Sequence, residues 1–215
     1  MVQDLECPAE TTFDDRLVDE VRATLYGLLG CLYGRELTLE FAGELRKAGF
    51  FEILARVDPG FDVGEDLESL DLESLEVEFA RLFIGPGPHA PPYASVYRED
   101  DGRSGQLWGS TTGEVRRFMA HFGLELDHPG AIPDHVSVLF EFMERVLRAK
   151  IEAGERNDEE AYQEADRIQR RFFSSYIDPW IGRFLQRVQQ AEPLPFYAAV
   201  ARFAAWFMNQ EKLVA

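Results

Sequence analysis

Asp134 and His135 are the adjacent residues best suited to chemistry in this sequence. A carboxylate beside an imidazole can bind a metal ion, or can orient the imidazole as a general base. The other histidines, at positions 89, 121 and 128, add no HExxH or HxxxH spacing and no second ligand one helical turn away. A structural interpretation also explains the pair, with Asp134 as the charge at a helix N-terminus and His135 as a half-buried polar group.

Motifs for phosphate binding and for nucleophilic catalysis are missing from the chain. No GxxxxGK[ST], GxGxxG or GxSxG sequence occurs. Gly85-Pro86-Gly87 is a poor phosphate cradle, because proline has no backbone N–H to donate. The paired arginines Arg116-Arg117 and Arg170-Arg171 fall within helical patterns, where we expect them to be solvated or ion-paired. The residue types therefore favour recognition of a partner over catalysis.

A proline-rich segment with many aromatic residues is the most unusual stretch of the chain. It runs from Glu78 to Tyr97 with the sequence EFARLFIGPGPHAPPYASVY, and its first residues have the apolar spacing of a helix end. The prolines that follow oppose a regular helix, and we expect none through Tyr97. The aromatic side chains argue against disorder. We therefore expect an ordered loop in which Tyr93, Val96 and Tyr97 shape a recognition surface.

The composition is that of a globular, strongly acidic protein. The chain has 215 residues, of which 46% are hydrophobic, and a formal net charge of -17. This charge disfavours nucleic acid and anionic membranes as partners, and favours a basic partner or a solvated acidic surface. The two cysteines, Cys7 and Cys31, are too few for a disulfide framework. Neither a membrane-spanning run nor a signal peptide is found, so we expect a cytoplasmic protein without stable membrane insertion.

Helical periodicity dominates the chain, and strand alternation with hairpin turns does not occur. The sequence predicts an all-α, single-domain helical bundle of about nine or ten helices over residues 12–215, after a flexible tail at residues 1–11. Thr111 to Glu114 has the spacing of a capping box, and Pro133 suits the first turn of a long helix. Residues 124–132 form a linker between helical patterns and are a candidate hinge.

Two motifs carry a resemblance to a known family. The first combines Arg81-Leu-Phe-Ile-Gly-Pro86, Pro91-Pro92-Tyr93 and Ser95-Val96-Tyr97, and the second is Pro133-Asp134-His135 with Glu141-Phe142-Met143. Shorter matches are Leu107-Trp-Gly-Ser-Thr111, Asp178-Pro-Trp180 and Pro195-Phe-Tyr197. These segments resemble the redox-enzyme maturation chaperones of trimethylamine N-oxide and dimethyl sulfoxide reductases (TorD and DmsD). Nitrate reductase chaperones are more distant relatives of that family. The resemblance extends from Asp14 to the C-terminus.

The resemblance implies an all-helical, cytoplasmic protein that is not an enzyme. Members of the family bind the twin-arginine leader of a molybdenum-cofactor oxidoreductase and its apo-enzyme, and they delay export until the cofactor is inserted. No metal or resident cofactor is implied, although guanine-nucleotide binding has been proposed for some members. A monomer is compatible with the resemblance, and so is a dimer that exchanges helices across the 124–132 linker. The implied leader-binding residues are Leu82, Phe83, Gly85, Pro86, Pro91, Pro92, Tyr93, Ser95, Val96, Tyr97, Asp134 and His135.

Ala94 and Leu139 depart from the family pattern, because many relatives carry glutamate at these positions. Each departure removes a negative charge from the implied site, so we expect the leader specificity of this chain to differ. An alternative from another functional class is a metal-dependent or acid–base enzyme centred on Asp134 and His135, with His89. Stoichiometric bound metal would favour that alternative.

Overall fold

The computed structural model describes residues 13–61, 71–85, 89–98, 108–124 and 132–214. These ranges contain ten α-helices, two π-helical segments and one isolated β-bridge, so the predicted all-α class and helix number are confirmed. The α-helices are α1 (Phe13–Gly34), α2 (Leu39–Lys47), α3 (Phe50–Val57), α4 (Leu72–Phe79), α5 (Ala94–Tyr97), α6 (Ser110–His121), α7 (Val136–Glu155), α8 (Glu159–Phe172), α9 (Asp178–Gln190) and α10 (Pro195–Val214). The π-helical segments are Ala80–Ile84 and Phe173–Ile177.

Some of the predicted features fall on residues that the structure does not describe. These are the tail at 1–11, Pro86 of the proline-rich segment and residues 125–131 of the linker. Within the described ranges, none of the helices has both the length and the apolar character needed to cross a membrane.

The helices α1 and α7 form a closely packed antiparallel pair. Gly34 at the end of α1 faces Ser137 at the start of α7, and a Cβ added at Gly34 would lie 3.0 Å from the Ser137 Cβ. At the other end of the pair, Arg16 of α1 bonds to Glu155 of α7 at 2.5 Å. Because glycine has no Cβ, Gly34 lets the two helices approach closely where α7 begins. The start of α7 is thereby held against the rest of the fold.

A single hydrophobic core contains an aromatic cluster around Phe184 of α9. The ring centroids of Tyr33, Phe83 and Tyr97 lie 5.4, 6.2 and 6.0 Å from that of Phe184. Aromatic pairs at such distances contribute about 0.5–1.5 kcal/mol beyond the area they bury. Phe83 and Tyr97 belong to the proline-rich segment, so this segment is anchored in the same core as α1 and α9.

A buried polar network ties α1 to α8 and α10. Arg22 donates hydrogen bonds to Asp19, Gln169 and Glu211 at 2.7, 2.6 and 2.7 Å. The hydroxyl of Tyr26 donates to the same Glu211 carboxylate at 2.8 Å. All these groups are buried, and a buried charge is tolerated only when it is paired and hydrogen-bonded. The network therefore fixes how α1 and α10 meet.

Lys150 of α7 extends this network. Its Nζ lies 3.0 Å from the Asp19 carboxylate and 2.8 Å from the Asp166 carboxylate. Burial lowers the pKa of Lys150, but its hydrogen bonds and charge interactions with Asp166 and Asp19 outweigh burial and raise the pKa above its usual value. Lys150 is therefore charged at neutral pH even though it is buried.

Three predictions about helix ends are wrong. Thr111 lies inside α6, whose N-cap is Gly109. Pro133 precedes α7 instead of occupying its first turn, because the N-cap of α7 is His135. A helical turn, α5, also forms over Ala94–Tyr97, where none was expected. In each case a hydrogen bond to a distant part of the chain competes with the local sequence signal. These hydrogen bonds are described with the candidate site.

Candidate functional site

Two segments that are distant in sequence meet at the predicted site through backbone hydrogen bonds. Ala94 donates its N–H to the carbonyl of Asp134 at 2.9 Å, and a second bond of 2.8 Å runs from the first residue of α7 to the carbonyl of Pro92. These bonds form an antiparallel bridge between Tyr93 and His135. The two motifs singled out from the sequence therefore lie side by side.

Asp134 is fully buried, with an exposed fraction of 0%, and holds three elements together. Its Oδ2 accepts the backbone N–H of Ser95 in α5 at 2.8 Å. Its Oδ1 accepts the hydroxyl of Thr112 in α6 at 2.8 Å. The carboxylate thus caps the N-terminus of α5, a different helix from the one that follows it in sequence. In this conformation it is inaccessible to an arginine of a bound peptide.

His135 caps α7 through its ring. Its Nδ1 accepts the backbone N–H of Ser137 at 3.2 Å and lies 2.6 Å from the hydroxyl of the same residue. The ring meets Tyr93 edge-on, with centroids 5.0 Å apart. Burial lowers the pKa of His135 to about 4, although the nearby Asp134 carboxylate acts in the opposite direction. The imidazole is therefore neutral at pH 7.

The Asp134 and His135 side chains do not form the hydrogen-bonded pair that acid–base catalysis would use. The Asp134 carboxylate holds α5 and α6, and the His135 Nδ1 holds Ser137. The part of the chain that the structure describes also contains no group of three or more His, Cys, Asp or Glu residues that could hold a metal ion. His89 is half-buried, and its carbonyl accepts a hydrogen bond of 2.8 Å from Arg187.

The implied leader-binding residues divide into buried and accessible groups. The buried ones attach the segment to the core, and the half-buried ones are within reach of a partner. The buried group is Leu82, Phe83, Pro92, Ser95, Tyr97 and Asp134. The half-buried group is Gly85, Pro91, Tyr93, Val96 and His135, and Pro86 lies outside the described residues. In this conformation only the second group can touch a bound peptide.

The side chain of Tyr97 packs in the hydrophobic core. Its ring stacks on Trp180 with centroids 5.6 Å apart and an interplanar angle of 25°. Burial raises the pKa of Tyr97, and burial together with the Asp134 charge raises the pKa of Tyr93. Both phenols are therefore protonated at neutral pH, and they present no negative charge to a partner.

The two departures from the family pattern lie in the core. Ala94 and Leu139 are both fully buried, at 0% exposure. A carboxylate at either position would be removed from water, which is costly without a buried partner. In this chain the two positions contribute to packing.

Thr112 is a site residue that the sequence motifs did not indicate. Thr112 had been included in a helix cap, but its hydroxyl instead bonds to Asp134. Trp108 precedes Gly109, the N-cap of α6, and is 63% exposed with a backbone φ of 67°. That left-handed conformation is uncommon for a residue other than glycine. Its place beside Gly109 was visible in the sequence, but its strained backbone was not.

Comparison with known proteins decides the family. A model of the nitrate reductase delta subunit family matches residues 38–186, a range that includes both motifs. The chain belongs to this family.

Relatives of the chain include proteins named as chaperones. It is 27% identical over 207 residues to the chaperone protein TorD of Shewanella loihica, covering 89% of this chain and 91% of that one. It is 28% identical over 203 residues to TorD of Vibrio parahaemolyticus, covering 88% and 92%. The chaperone protein YcdY of Escherichia coli is 28% identical over 134 residues, or 62% and 61% of the two chains. The chain thus belongs to a family with which the TorD chaperones share similarity, and the resemblance inferred from the motifs is confirmed.

A solved structure shares the fold. A crystal structure of an Archaeoglobus fulgidus protein assigned to redox enzyme maturation is similar, with a TM-score of 0.54 and 21% sequence identity. The alignment covers 89% of this chain and 93% of that one. The likeness extends over nearly the whole helical fold.

Proposed function

We propose that this chain is a cytoplasmic chaperone for a molybdopterin-dependent oxidoreductase of the dimethyl sulfoxide or trimethylamine N-oxide reductase type. It binds the twin-arginine leader and the apo-enzyme, aids cofactor insertion and delays export. The observation that carries this proposal is the bridge between Tyr93 and His135, which joins both motifs into one surface. We call this the leader surface, and it consists of Pro91, Tyr93, Val96 and His135.

The chemistry of the leader surface suits the apolar part of such a leader. Its accessible groups are a proline ring, a phenol, a branched aliphatic side chain and a neutral imidazole. Aromatic anchors of this kind contribute about 1–3 kcal/mol each when a partner desolvates them fully. Because the His135 ring is uncharged at neutral pH, it does not repel the arginines of the leader. The net charge of -17 favours approach of the basic region.

The buried residues of the site act on binding indirectly. Asp134 holds α5 and α6 in register with the start of α7, so it positions Tyr93 beside His135. A positioned surface binds more tightly than a flexible one because less conformational entropy is lost on binding. We therefore assign Asp134 a positioning role and give peptide contact to the half-buried residues.

Titration of a labelled twin-arginine leader peptide tests the leader surface. Tyr93→Ala should weaken binding about tenfold, which corresponds to about 1.4 kcal/mol. Tyr162→Ala is the matched control, because Tyr162 is also half-buried. Its ring lies 4.9 Å from Lys150 Nζ, and Lys150 is about 22 Å along α7 from His135. Equal leader affinity of wild type, Tyr93→Ala and Tyr162→Ala would exclude this surface.

Two further parts of the proposal have separate tests. Co-purification of an apo-oxidoreductase with the tagged chain tests the client, and recovery of only mature, cofactor-loaded enzyme would contradict the proposed step. Light scattering tests the oligomeric state, for which we propose a monomer or a dimer that exchanges helices across residues 124–132. A dimer that persists after this linker is made rigid would contradict exchange at that hinge.

A further inference from the structure

Exposed apolar side chains are concentrated at one end of the bundle. In the described part of the chain, half of the exposed large hydrophobic residues lie in two short stretches, one near the start of α1 and one near the end of α10. Single exposed apolar residues are common on protein surfaces, whereas a group of them marks an interaction site. We call this group the α1–α10 patch, and it consists of Leu17, Val18, Val21, Trp206, Leu213 and Val214.

Two contacts show that α1 and α10 run antiparallel where the patch lies. Arg22 donates to Glu211 at 2.7 Å, and the ring centroids of Tyr26 and Phe207 are 5.0 Å apart. A later residue of α1 thus meets an earlier residue of α10. The start of α1 and the end of α10 therefore lie side by side at one end of the bundle.

The patch spans both helices at this end. Val18 lies one helical turn before Arg22, and Val214 lies one turn after Glu211. These two valines are therefore neighbours across the helix pair, and they are 51% and 41% exposed. The other patch residues of each helix lie within about two helical turns of these valines. The apolar surface is thus shared between two elements that the buried polar network holds in place.

The charge around the patch is unusual for this acidic protein. The only carboxylate of α10 is that of Glu211, which is buried in the polar network with α1. The exposed residues of α10 include no aspartate and no glutamate. On α1, Asp15 and Glu20 flank the patch, and Arg16 between them bonds to Glu20 at 2.9 Å. The α10 side of the patch therefore has no exposed negative charge, in a chain whose net charge is -17.

We propose that the α1–α10 patch is the contact between two copies of this chain in a reversible, two-fold symmetric dimer. Two copies that each carry a charge of -17 repel one another, so their contact is favoured at a face without exposed carboxylates. A basic partner, by contrast, finds no carboxylate on α10 with which to pair. In a two-fold contact both copies use the same surface, so each supplies the apolar residues of α1 and the indole of Trp206. Tryptophan is among the residues that contribute most to protein–protein contacts.

The size of the patch indicates a weak dimer. Its six side chains are 41–80% exposed and together form an apolar surface of several hundred Å². A stable interface of standard size buries about 800 Å² per partner. We therefore expect monomer and dimer to exchange, with a dissociation constant in the micromolar range.

The dimer leaves the leader surface open. Gly34 at the end of α1 faces Ser137 at the start of α7, so the leader surface and the patch lie at opposite ends of α1. The distance from Val21 to Gly34 is about 20 Å along the helix axis. The inference goes beyond the proposed function and does not depend on it, because no residue of the leader surface belongs to the patch.

Sedimentation velocity over a range of protein concentrations tests the proposal. Wild type should change from monomer to dimer as its concentration rises. The Leu17→Glu, Val21→Glu double variant should raise the dissociation constant of the dimer at least tenfold, and Trp206→Ala on the other helix should also raise it. The control is the Leu39→Glu, Val77→Glu double variant, which adds the same charge at apolar residues of α2 and α4 that are 61% and 65% exposed. Circular dichroism checks that all variants are folded.

Several results would overturn the proposal. A wild-type chain that stays monomeric up to about 1 mM has no such contact. An equal loss of dimer in the control would mean that total charge, and not the patch, determines association. A dimer that persists in both patch variants and separates only slowly on dilution would indicate helix exchange across residues 124–132. A dimer that forms only after residues 1–12 are removed would mean that the chain's own N-terminal residues occupy the patch.

Ionic strength and leader peptide give two further tests. Because the contact is apolar and the two copies repel each other, added salt should tighten the dimer. A dimer that weakens with salt would be held by ion pairs, against the proposal. Saturating leader peptide should leave the dissociation constant of the dimer unchanged, and loss of the dimer would place the leader on the patch. If the dimer forms and no leader binds, the leader proposal fails and the patch stands.

Discussion

Replacing Asp134 by alanine should destabilise the fold strongly. The change removes the acceptor for the Ser95 N–H and for the Thr112 hydroxyl, both at 2.8 Å in a fully buried place. A hydrogen bond to a charged group contributes about 1.5–3 kcal/mol. The Thr112 hydroxyl can rotate towards another acceptor, whereas the Ser95 N–H cannot, so the expected total is about 3–5 kcal/mol of unfolding free energy.

Replacing Asp134 by asparagine should lower the free energy of unfolding by less than replacing it by alanine. Its carbonyl oxygen can still accept from Ser95, and its amide can donate to the Thr112 hydroxyl. The Asp134→Asn change removes the negative charge that strengthens the two hydrogen bonds and attracts the N-terminus of α5. Together these losses amount to about 1–2 kcal/mol of unfolding free energy. The expected order of stability is wild type, then Asp134→Asn, then Asp134→Ala.

Urea unfolding followed by circular dichroism measures these differences. A double-mutant cycle with Thr112→Val isolates the bond to α6, and its coupling energy should be about 1–2 kcal/mol. A loss of unfolding free energy below about 1 kcal/mol for Asp134→Ala, or a coupling energy near zero, would refute the role of Asp134 in holding α5 and α6 together.

The same variants separate positioning from direct peptide contact. Leader affinity of Asp134→Asn should stay within about twofold of wild type, because the carboxylate is buried and the backbone register is kept. A direct pair between Asp134 and a leader arginine predicts a loss of at least about tenfold. That larger loss in a stably folded Asp134→Asn protein would contradict the positioning role.

Three other outcomes are expected. The free energy of unfolding should fall as pH drops from about 6.5 to about 4. The reason is that His135 takes up a proton in the unfolded state but not in the folded one. In urea titrations at a series of pH values, His135→Gln should remove this contribution to the pH dependence of the unfolding free energy. Glu211→Ala should cost about 3–5 kcal/mol because it leaves Arg22 buried without this partner, whereas Glu155→Ala at the exposed pair with Arg16 should cost less than about 1 kcal/mol in the same assay. Leader association measured by stopped flow should slow as ionic strength rises, and a salt-independent rate would contradict steering by the acidic surface.

The helical elements were predictable from the sequence where their signals are local. Thr38 accepts the Phe41 N–H and starts α2 as its cap spacing suggests, and Pro179 lies in the first turn of α9. These signals act over about four residues, the reach of a helical turn. The π-helical segments had no such signal and were not expected.

The site was predictable only as a set of motifs. Thr112 and Asp134 are 22 residues apart, and Arg22 and Glu211 are 189 residues apart. No periodicity connects such positions, so the sequence alone could not show that Asp134 caps α5 or that Arg22 is paired. The sequence instead suggested that Pro133 lies in the first turn of the helix with Asp134 as the charge at its N-terminus, whereas α7 begins at Val136. His135 provides the N-cap through its ring.

Because of the bridge between Tyr93 and His135, binding at the proposed leader surface depends on the chain being folded. Because the surface is assembled from residues before and after α6, no fragment that lacks either side of α6 carries it. Leader binding must then favour the folded chain by mass action, by about 2.7 kcal/mol when the peptide is at 100 times its Kd. If the chain binds a leader as proposed, a molecule that loses the register between α5 and α7 would release that leader, so misfolded copies would not compete with folded ones for it.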